Sequence, residues 1–404
     1  MDREEEIMTE WQKIRLGEIV KTNQSTYSPK ENWQFVNYLD TGNITVNKIN
    51  EIQYIDSAKD KLPSRARRKV KTNSIIYSTV RPNQLHYGII KEQPDNFLVS
   101  TGFAVIDVDC DKAVPDFIYY ALTKQDVTEQ LQAIAEQSVS AYPSIKPSDI
   151  ENLEFTLPDG KTQERIVSIL STIDEKIKEN NAINNNLEQQ AEALFHSLFV
   201  ENANPTWKDG VLSDLGTVVA GGTPSKTKPE YYSEHGIAWI TPKDLSLNKS
   251  KFISHGENDI SELGFSKSSA TKMPAGTVLF SSRAPIGYIA IAANEVTTNQ
   301  GFKSVVPNKN VGTAFMYYLL KFLLPTIEGM ASGSTFKEIS GAGMKSVPVV
   351  IPDNNIIEKF NAFCTPIFQQ QEVLEAENSR LADTRDALLA KLMSGELDVS
   401  VIDL

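Results

Sequence analysis

The side chains best placed for chemistry in this sequence are cations and hydrogen-bond donors on turns, not nucleophiles or metal ligands. Arg283 follows the apolar run 277–281, and Arg81, His86 and Tyr87 occupy the corresponding loop after residues 74–80. An arginine on a projecting loop can pair bidentately with guanine, the commonest specific contact to a base edge. A surface ion pair is the alternative for Arg283, and a satisfied structural histidine the alternative for His86. Ser138, Ser140 and Tyr142, with their counterparts Ser334, Thr335 and Lys337, precede the last strand of each half. They suit bases or phosphates, and equally suit turns. Arg65, Arg67, Arg68, Lys69 and Lys71 form a cluster better matched to phosphates, because clustered charge gives affinity without sequence information. Thr223, Ser225 and Lys226 lie in Gly221-Gly222-Thr223-Pro224-Ser225-Lys226-Thr227, which is similar to a phosphate loop. It lacks a glycine immediately before the lysine and has a proline inside, so a nucleotide site is not expected. Those residues, together with Lys228 and with Lys243 further on, remain candidates for a backbone phosphate.

Covalent chemistry has little to work with. Cys110 and Cys364 are isolated, and histidine occurs only at 86, 196, 235 and 255, so neither a disulfide framework nor a metal cluster is expected. No Asn-Pro-Pro-Phe/Tyr methyltransferase motif is present; Asn204-Pro205-Thr206-Trp207 is a superficial relative. Neither a convincing S-adenosylmethionine loop nor a nuclease carboxylate cluster can be picked out. No catalytic residue and no bound cofactor are therefore assigned to this chain. Its hydrophobic fraction of 40% and charged fraction of 23% are those of an ordinary globular protein. No apolar run reaches the roughly 18 residues of a membrane span, and the acidic start Met1-Asp2-Arg3-Glu4-Glu5-Glu6 is no secretory signal. A cytoplasmic location is expected.

A net charge of −12 opposes nucleic acid only until it is mapped. Residues 1–10 carry −4, residues 161–200 carry −2 and residues 353–404 carry −6, which leaves the remainder neutral. Within that remainder, 61–91 holds eight basic residues and 263–294 holds Lys267, Lys272 and Arg283, neither stretch with an Asp or Glu. Phosphate binding needs cations without nearby carboxylates.

These stretches sit at equivalent places because the chain is one unit written twice. Trp11-Gln12-Lys13-Ile14-Arg15-Leu16-Gly17-Glu18-Ile19 returns as Trp207-Lys208-Asp209-Gly210-Val211-Leu212-Ser213-Asp214-Leu215. Ser74-Ile75-Ile76-Tyr77-Ser78 returns as Thr277-Val278-Leu279-Phe280-Ser281, each followed by an Arg-containing turn, Arg81-Pro82 in one and Arg283-Ala284-Pro285 in the other. Thr101-Gly102-Phe103 matches Gln300-Gly301-Phe302, and Phe117-Ile118-Tyr119-Tyr120 matches Phe315-Met316-Tyr317-Tyr318. Leu157-Pro158-Asp159 matches Ile351-Pro352-Asp353. Either this is an old duplication without functional meaning, or two similar modules suit a target with two halves.

Each copy has two parts. The first mixes short apolar runs (74–80, 97–108, 277–281, 287–292) with Gly/Pro/Asn turns, which predicts a β-rich α/β domain. One helix per copy is expected, near 116–122 and 313–323, the second ending at Pro325. The second part is a long helix. Residues 161–199 contain no Gly or Pro, and apolar positions alternate by four and three through Ile173, Ile177, Leu187, Leu194 and Leu198, interrupted at Asn180 and Asn184. Displaced by 194, the same seam reads Ile367, Gln371, Leu374, Asn378, Leu381, Arg385, Leu388 and Leu392, and the helix stops at Gly395. That is coiled-coil periodicity, with Asn184 and Asn378 at equivalent positions where a buried polar residue can fix register. Each helix either packs on its own domain or pairs with the other, and so narrow a stripe favours a partner running along it. The simplest closure is an antiparallel pair, a spacer of about 57 Å at 1.5 Å per residue, with one domain at each end.

The motifs resemble a known family. Gly221-Gly222-Thr223-Pro224-Ser225, Gly236-Ile237-Ala238-Trp239-Ile240-Thr241-Pro242-Lys243-Asp244-Leu245, the run 274–287 and Thr298-Asn299-Gln300-Gly301-Phe302 are similar to target-recognition domains of Type I specificity subunits. Gln163-Glu164-Arg165-Ile166 after Leu157-Pro158 is similar to the start of that family's central helix. The first domain departs, with Ser25-Thr26-Tyr27-Ser28-Pro29 in place of the Gly-Gly-Thr-Pro-Ser segment. The resemblance implies a non-catalytic subunit that reads a bipartite double-stranded DNA target. It also implies two adenine methyltransferase partners bringing S-adenosylmethionine, and restriction subunits with an ATP- and Mg2+-dependent motor and nuclease. The expected order is an acidic tail (1–10), a first recognition domain (11–157), a central helix (158–200), a linker (201–206), a second recognition domain (207–351) and a C-terminal helix with tail (352–404). Two alternatives stand beside it: a freestanding enzyme with a duplicated domain, and an anti-restriction or scaffold protein whose acidic helices imitate DNA.

Overall fold

The computed structural model describes residues 11–138, 142–283, 285–333 and 337–399. The chain forms two compact units, one of residues 1–176 and 381–404, the other of residues 177–380. The architecture is the expected one of duplicated β-rich domains and two long helices, and each unit takes a domain together with a stretch of both helices.

In the first unit the strand Gln12–Arg15 closes antiparallel on Glu154–Leu157, with Gln12 opposite Leu157. A four-stranded sheet runs Val20–Thr22, Phe103–Val108, Ile75–Ser78, Tyr87–Ile89. Another runs Gln53–Asp56, Phe35–Leu39, Phe97–Ser100, Ala66–Lys69, with a parallel pair at its centre. The run 97–108 is thus two strands in two sheets, split by the turn at Thr101-Gly102. Helices α1 (Pro115–Leu122) and α2 (Gln125–Glu136) follow, before the long α3 (Gly160–His196).

The second unit repeats this plan. Lys208–Val211 closes on Pro348–Ile351 with Lys208 opposite Ile351. The sheet Gly216–Ala220, Lys303–Pro307, Val278–Ser282, Ile286–Ala292 matches the first unit's order and adds Phe252–Ile253 at its edge. A parallel pair recurs between Ile237–Ile240 and Thr297–Thr298. Here α4 (Thr313–Phe322) ends before Pro325, which sits instead in the first turn of α5 (Leu324–Met330). Proline is at home there, because a helix's first turn needs no N–H donor. Each domain therefore carries two helices in this region, not one.

The final helix, α6 (Asn354–Ser394), runs through Pro366 without a break, because Phe360, Cys364, Ile367 and Phe368 around it are buried in the unit's core. Gly395, at φ +75°, ends it, as expected of a helix C-terminus. Both long helices pack on domains and on each other. Ile166 and Leu170 of α3 and Leu389 and Leu392 of α6 join the first unit's core with Phe117 and Leu131. Ala191 and Phe195 of α3 join the second unit's core with Phe315, Tyr318 and Phe360. Full burial of each such isoleucine, leucine or phenylalanine side chain contributes roughly 1.5–3 kcal/mol.

Helix pairing is antiparallel. Arg385 Nη1 donates to Asp174 Oδ1 at 2.9 Å in the first unit, and Asn180 Nδ2 donates to Asn378 Oδ1 at 2.9 Å in the second. The seam residues Ile367, Leu374 and Leu392 are buried, while Ile173, Ile177, Leu187, Leu194, Leu198, Leu381 and Leu388 are half-buried. Asn184 and Asn378, equivalent in the repeat, do not meet. In an antiparallel pair repeat-equivalent residues point away from each other along the axis, so Asn378 meets Asn180 and Asn181. Asn180 is the fully buried member, and Gln371 donates to the Asn184 backbone carbonyl at 3.2 Å.

Candidate nucleic-acid interface

Tertiary structure brings acids to the cations that the sequence keeps apart. Lys69 pairs with Glu31 and lies 5.1 Å from the Trp33 ring centre. The Lys69 hydrogen bond and a Ser28 backbone N–H hold the Glu31 carboxyl below its usual range. Lys71 stands 3.9 Å from Asp107 and Lys91 2.7 Å from Asp116. In the second unit Lys272 pairs with Glu295 at 3.3 Å, and exposed Lys243 with Glu257 at 2.6 Å. The stretches 61–91 and 263–294 are therefore acid-free in sequence and not in space. Among the described residues, Arg65, Arg67, Arg68, Arg81, Lys226 and Lys337 have no ion pair. Arg67 and Arg68 sit on the edge strand Ala66–Lys69, beside residues 25–27, the counterpart of Gly-Gly-Thr-Pro-Ser. Thr26 bridges Arg68 along that side, so the strand is flanked there, and it is the guanidinium groups without an ion pair that suit a backbone contact.

The loop after Ile75–Ser78 is strained. Arg81 and Leu85 both have left-handed backbones, at φ +49° and +57°. The Arg81 N–H donates to the Pro143 carbonyl at 3.0 Å, and its guanidinium lies 5.3 Å from the ring centre of exposed Tyr142. Its neighbours have other work. His86 Nδ1 is 2.6 Å from the Ile44 carbonyl, a structural histidine. Tyr87 is 5% exposed and stacks on Tyr77 at 5.5 Å, and burial pushes its hydroxyl pKa up to about 12. It belongs to the core, which corrects its assignment to the binding surface: Gly88 and Ile89 after it complete a buried strand, so the ring faces inward. Ser138 Oγ accepts from the Ser144 N–H at 3.4 Å, a turn contact. Ser140, Ser334 and Thr335 lie outside the described residues.

In the second unit Arg283 Nη1 donates to Glu338 at 3.3 Å, and Lys303, only 8% exposed, approaches the same carboxylate at 3.6 Å. Thr223 contacts Gln300, while Ser225 meets Thr227 at 2.9 Å beside exposed Lys226. Gln300, Lys303 and Glu338 were not singled out by sequence. Gln300 stands within Thr298-Asn299-Gln300-Gly301-Phe302, whereas Glu338 lies 55 residues from Arg283 and nothing local marks it.

Strand pairing sets the register of the two arginines. Ser78 pairs with Phe103 as Ser281 pairs with Phe302, so residue 80, not 81, is the counterpart of 283. Arg81 and Arg283 are one residue out of register, as the alignment of Ser78 with Ser281 along the sequence also requires.

The Gly221-Gly222 pair is a packing device. A Cβ on Gly222 would lie 2.4 Å from the backbone of Ser269 and Ala270, and one on Gly221 2.0 Å from the Asn299 carbonyl. Gly222 also accepts the Trp239 indole N–H at 2.9 Å. Gly222→Ala is expected to destabilise the second unit by about 1–3 kcal/mol through overpacking. Hydrogen exchange of the strand Ile237–Ile240 reads this, and parent-like protection would return the motif to ligand binding. Among the described residues no group of His, Cys, Asp and Glu is arranged for a metal, and no helix is long and apolar enough to cross a membrane.

A family model for the Type I restriction modification DNA specificity domain matches this chain twice, over residues 8–189 and 204–378. The Type I restriction enzyme HindI specificity subunit of Haemophilus influenzae is 26% identical over 467 aligned residues, covering 96% of this chain and 100% of that protein. The MjaIX specificity subunit of Methanocaldococcus jannaschii is 37% identical over 178 residues, 42% of this chain and 41% of that one. The crystal structure of a Type I restriction–modification S subunit from M. genitalium has the same fold, with a TM-score of 0.56, 19% identity and coverage of 95% of this chain and 96% of that one.

Proposed function

The chain belongs to the family of Type I restriction–modification DNA specificity domains, and from that membership we propose how it serves as the DNA-specificity subunit of such an enzyme. Residues 11–157 and 207–351 each read one half of a bipartite double-stranded target. The helices within 158–200 and 352–404 set the spacer and dock two adenine methyltransferase subunits. The observation that carries this reading is structural repetition: the closing ladder, the order of one four-stranded sheet and a parallel strand pair all recur. One chain thereby offers two similar reading domains, which is what a split target requires.

Recognition is this chain's share of the work. Methyl transfer from S-adenosylmethionine, and ATP- and Mg2+-dependent motor and nuclease action, belong to partner subunits. Arg65, Arg67 and Arg68 on the first domain, and Thr223, Ser225, Lys226 and Lys337 on the second, hold phosphates and position the duplex. Arg81 and Arg283 read base edges. The acidic surplus lies in the tail and the helices, so it does not repel DNA from the reading domains.

Co-expression with the modification partner in a host free of DNA methylation, followed by methylome sequencing, tests this. The expected result is one split motif with a methylated adenine in each half. Absence of any unique split motif would overturn the assignment.

A further inference from the structure

Both domains tie the loop that carries the reading arginine to the same second segment. In the first, residue 80 forms an antiparallel bridge with 144, and the Ile145 N–H donates to the Thr79 carbonyl at 2.9 Å. In the second, Arg283 bridges Glu338, and the Ile339 N–H donates to the Ser282 carbonyl at 3.1 Å. On this shared frame the side chains differ. Arg81 lies over the Tyr142 ring at 5.3 Å, and Arg283 reaches Glu338 at 3.3 Å. The partner in each case comes from the bridged segment, 61 residues on from Arg81 and 55 on from Arg283.

We propose that these partners are clasps: Tyr142 positions Arg81, and Glu338 with Lys303 behind it positions Arg283, so that each arginine reads a guanine at one position of its half-site. The inference rests on the specificity-subunit reading above.

A guanidinium is a rigid fork, and bidentate pairing with guanine O6 and N7 demands that its plane be set. A free arginine loses rotamer freedom on binding, and a clasp removes that loss beforehand. Neither clasp consumes the fork. Among the described residues, Arg283 makes one side-chain hydrogen bond, to Glu338, and the Arg81 guanidinium makes none, only the ring contact. Most donors of both remain open to a base.

Lys303 explains why Glu338 holds still. Its ammonium is buried beside Ser282 Oγ at 3.4 Å and the Gln300 carbonyl at 3.4 Å, and Glu338 is its carboxylate partner at 3.6 Å. Glu338 therefore bridges an anchored cation and an outward one. A carboxylate there can also accept from cytosine N4, which suits a G·C pair and disfavours the others. Tyr142 does the corresponding work with a π face, which attracts a cation without a carboxylate's charge.

The test is the methylome of variants co-expressed with the modification partner. Glu338→Gln and Arg283→Ala should both relax one and the same G·C position of one half-site, lowering the preference for guanine there by about five- to tenfold. Tyr142→Leu and Arg81→Ala should do the same at one position of the other half. In every case the untouched half-site keeps its sequence, which shows that the chain has folded and assembled. Unchanged motifs for Glu338→Gln and Tyr142→Leu would overturn the clasps, as would relaxation at a position different from that of the partner arginine, or at one that is not G·C. Complete loss of methylation by both Glu338→Gln and Arg283→Lys would overturn them too, because it makes the pair a determinant of folding. No split motif for the parent chain overturns the specificity reading itself, a different outcome from any of these.

Discussion

Glu188→Leu is expected to destabilise the second unit by about 3–5 kcal/mol, the usual result of leaving a buried charge without its partner. Lys251 is 7% exposed. Its ammonium pairs with Glu188, donates to Gln371 Oε1 at 2.7 Å and to the Tyr318 hydroxyl at 3.3 Å, and lies 4.3 Å from the Phe368 ring centre. Glu188 in turn accepts from Tyr318 at 2.9 Å and from Lys321 at 2.8 Å. One ion pair thus joins the domain to both long helices. Lys251→Met should cost less, since Lys321 still serves Glu188. The double variant should recover part of the loss, because a buried pair replaced by apolar side chains is often close to neutral. The chain has two units, so a global unfolding midpoint is a poor measure. Hydrogen exchange of α4 isolates the effect, and exchange faster by roughly a hundredfold to several thousandfold in Glu188→Leu is expected. Parent-like protection would show the pair to be energetically idle.

The same carboxylate makes stability depend on pH. Burial alone would raise the Glu188 pKa, but the Lys251 and Lys321 ammoniums outweigh it and pull it down to about 2. A depressed folded-state value means that the unfolded chain binds the proton more tightly. The contribution is therefore complete above the unfolded value of about 4.3 and is lost as pH falls towards 2. It amounts to something on the order of 3 kcal/mol at neutral pH. Protection of α4 should decline between pH 5 and 2 in the parent, and decline less in Glu188→Gln.

Deleting one matched heptad from the helix pair should shorten the DNA spacer and leave both half-sites intact. Removal of 177–183 from α3 and 376–382 from α6 excises paired antiparallel segments and keeps the seam in phase. It spares the anchors Asp174 and Arg385 of the first unit, and Glu188 and Gln371 of the second. Seven residues at 1.5 Å correspond to about 10 Å, or about three base pairs at 3.4 Å each. Three base pairs are also about a third of a duplex turn, so methylation should weaken as well as move. Methylation of a DNA library with stepped spacers measures both. Lost half-site preferences with an unchanged spacer would contradict the ruler role.

Much of the fold was legible because period and repetition are local signals. The four–three spacing from Ile173 and from Ile367 marks two seams, and the recurrence of Trp11–Ile19 at 207–215 marks two modules. The helix ends were legible from Pro158 and Gly395. The misjudged elements were those where tertiary contact overrode a local cue. Pro325 opens a helix it was expected to close. Tyr87 looked like a loop residue beside His86, yet its ring belongs to a stack with Tyr77 that only strand pairing creates.

The candidate interface was legible by residue type and not by partnership. Sequence alone determined that this protein is duplicated, that long helices join its halves, and that its cations gather in two acid-free stretches. Those properties depend on residue spacing along one chain. Only the tertiary structure decided that Lys69, Lys71 and Lys91 face acids, that Gly221-Gly222 is packing and not a phosphate cradle, and that Asn180 meets Asn378. It also set Glu338 and Tyr142 beside the two arginines. Each of these pairings joins residues far apart in the chain. Charge and hydrogen bonding act over a few ångströms of space, which separation along the sequence does not measure.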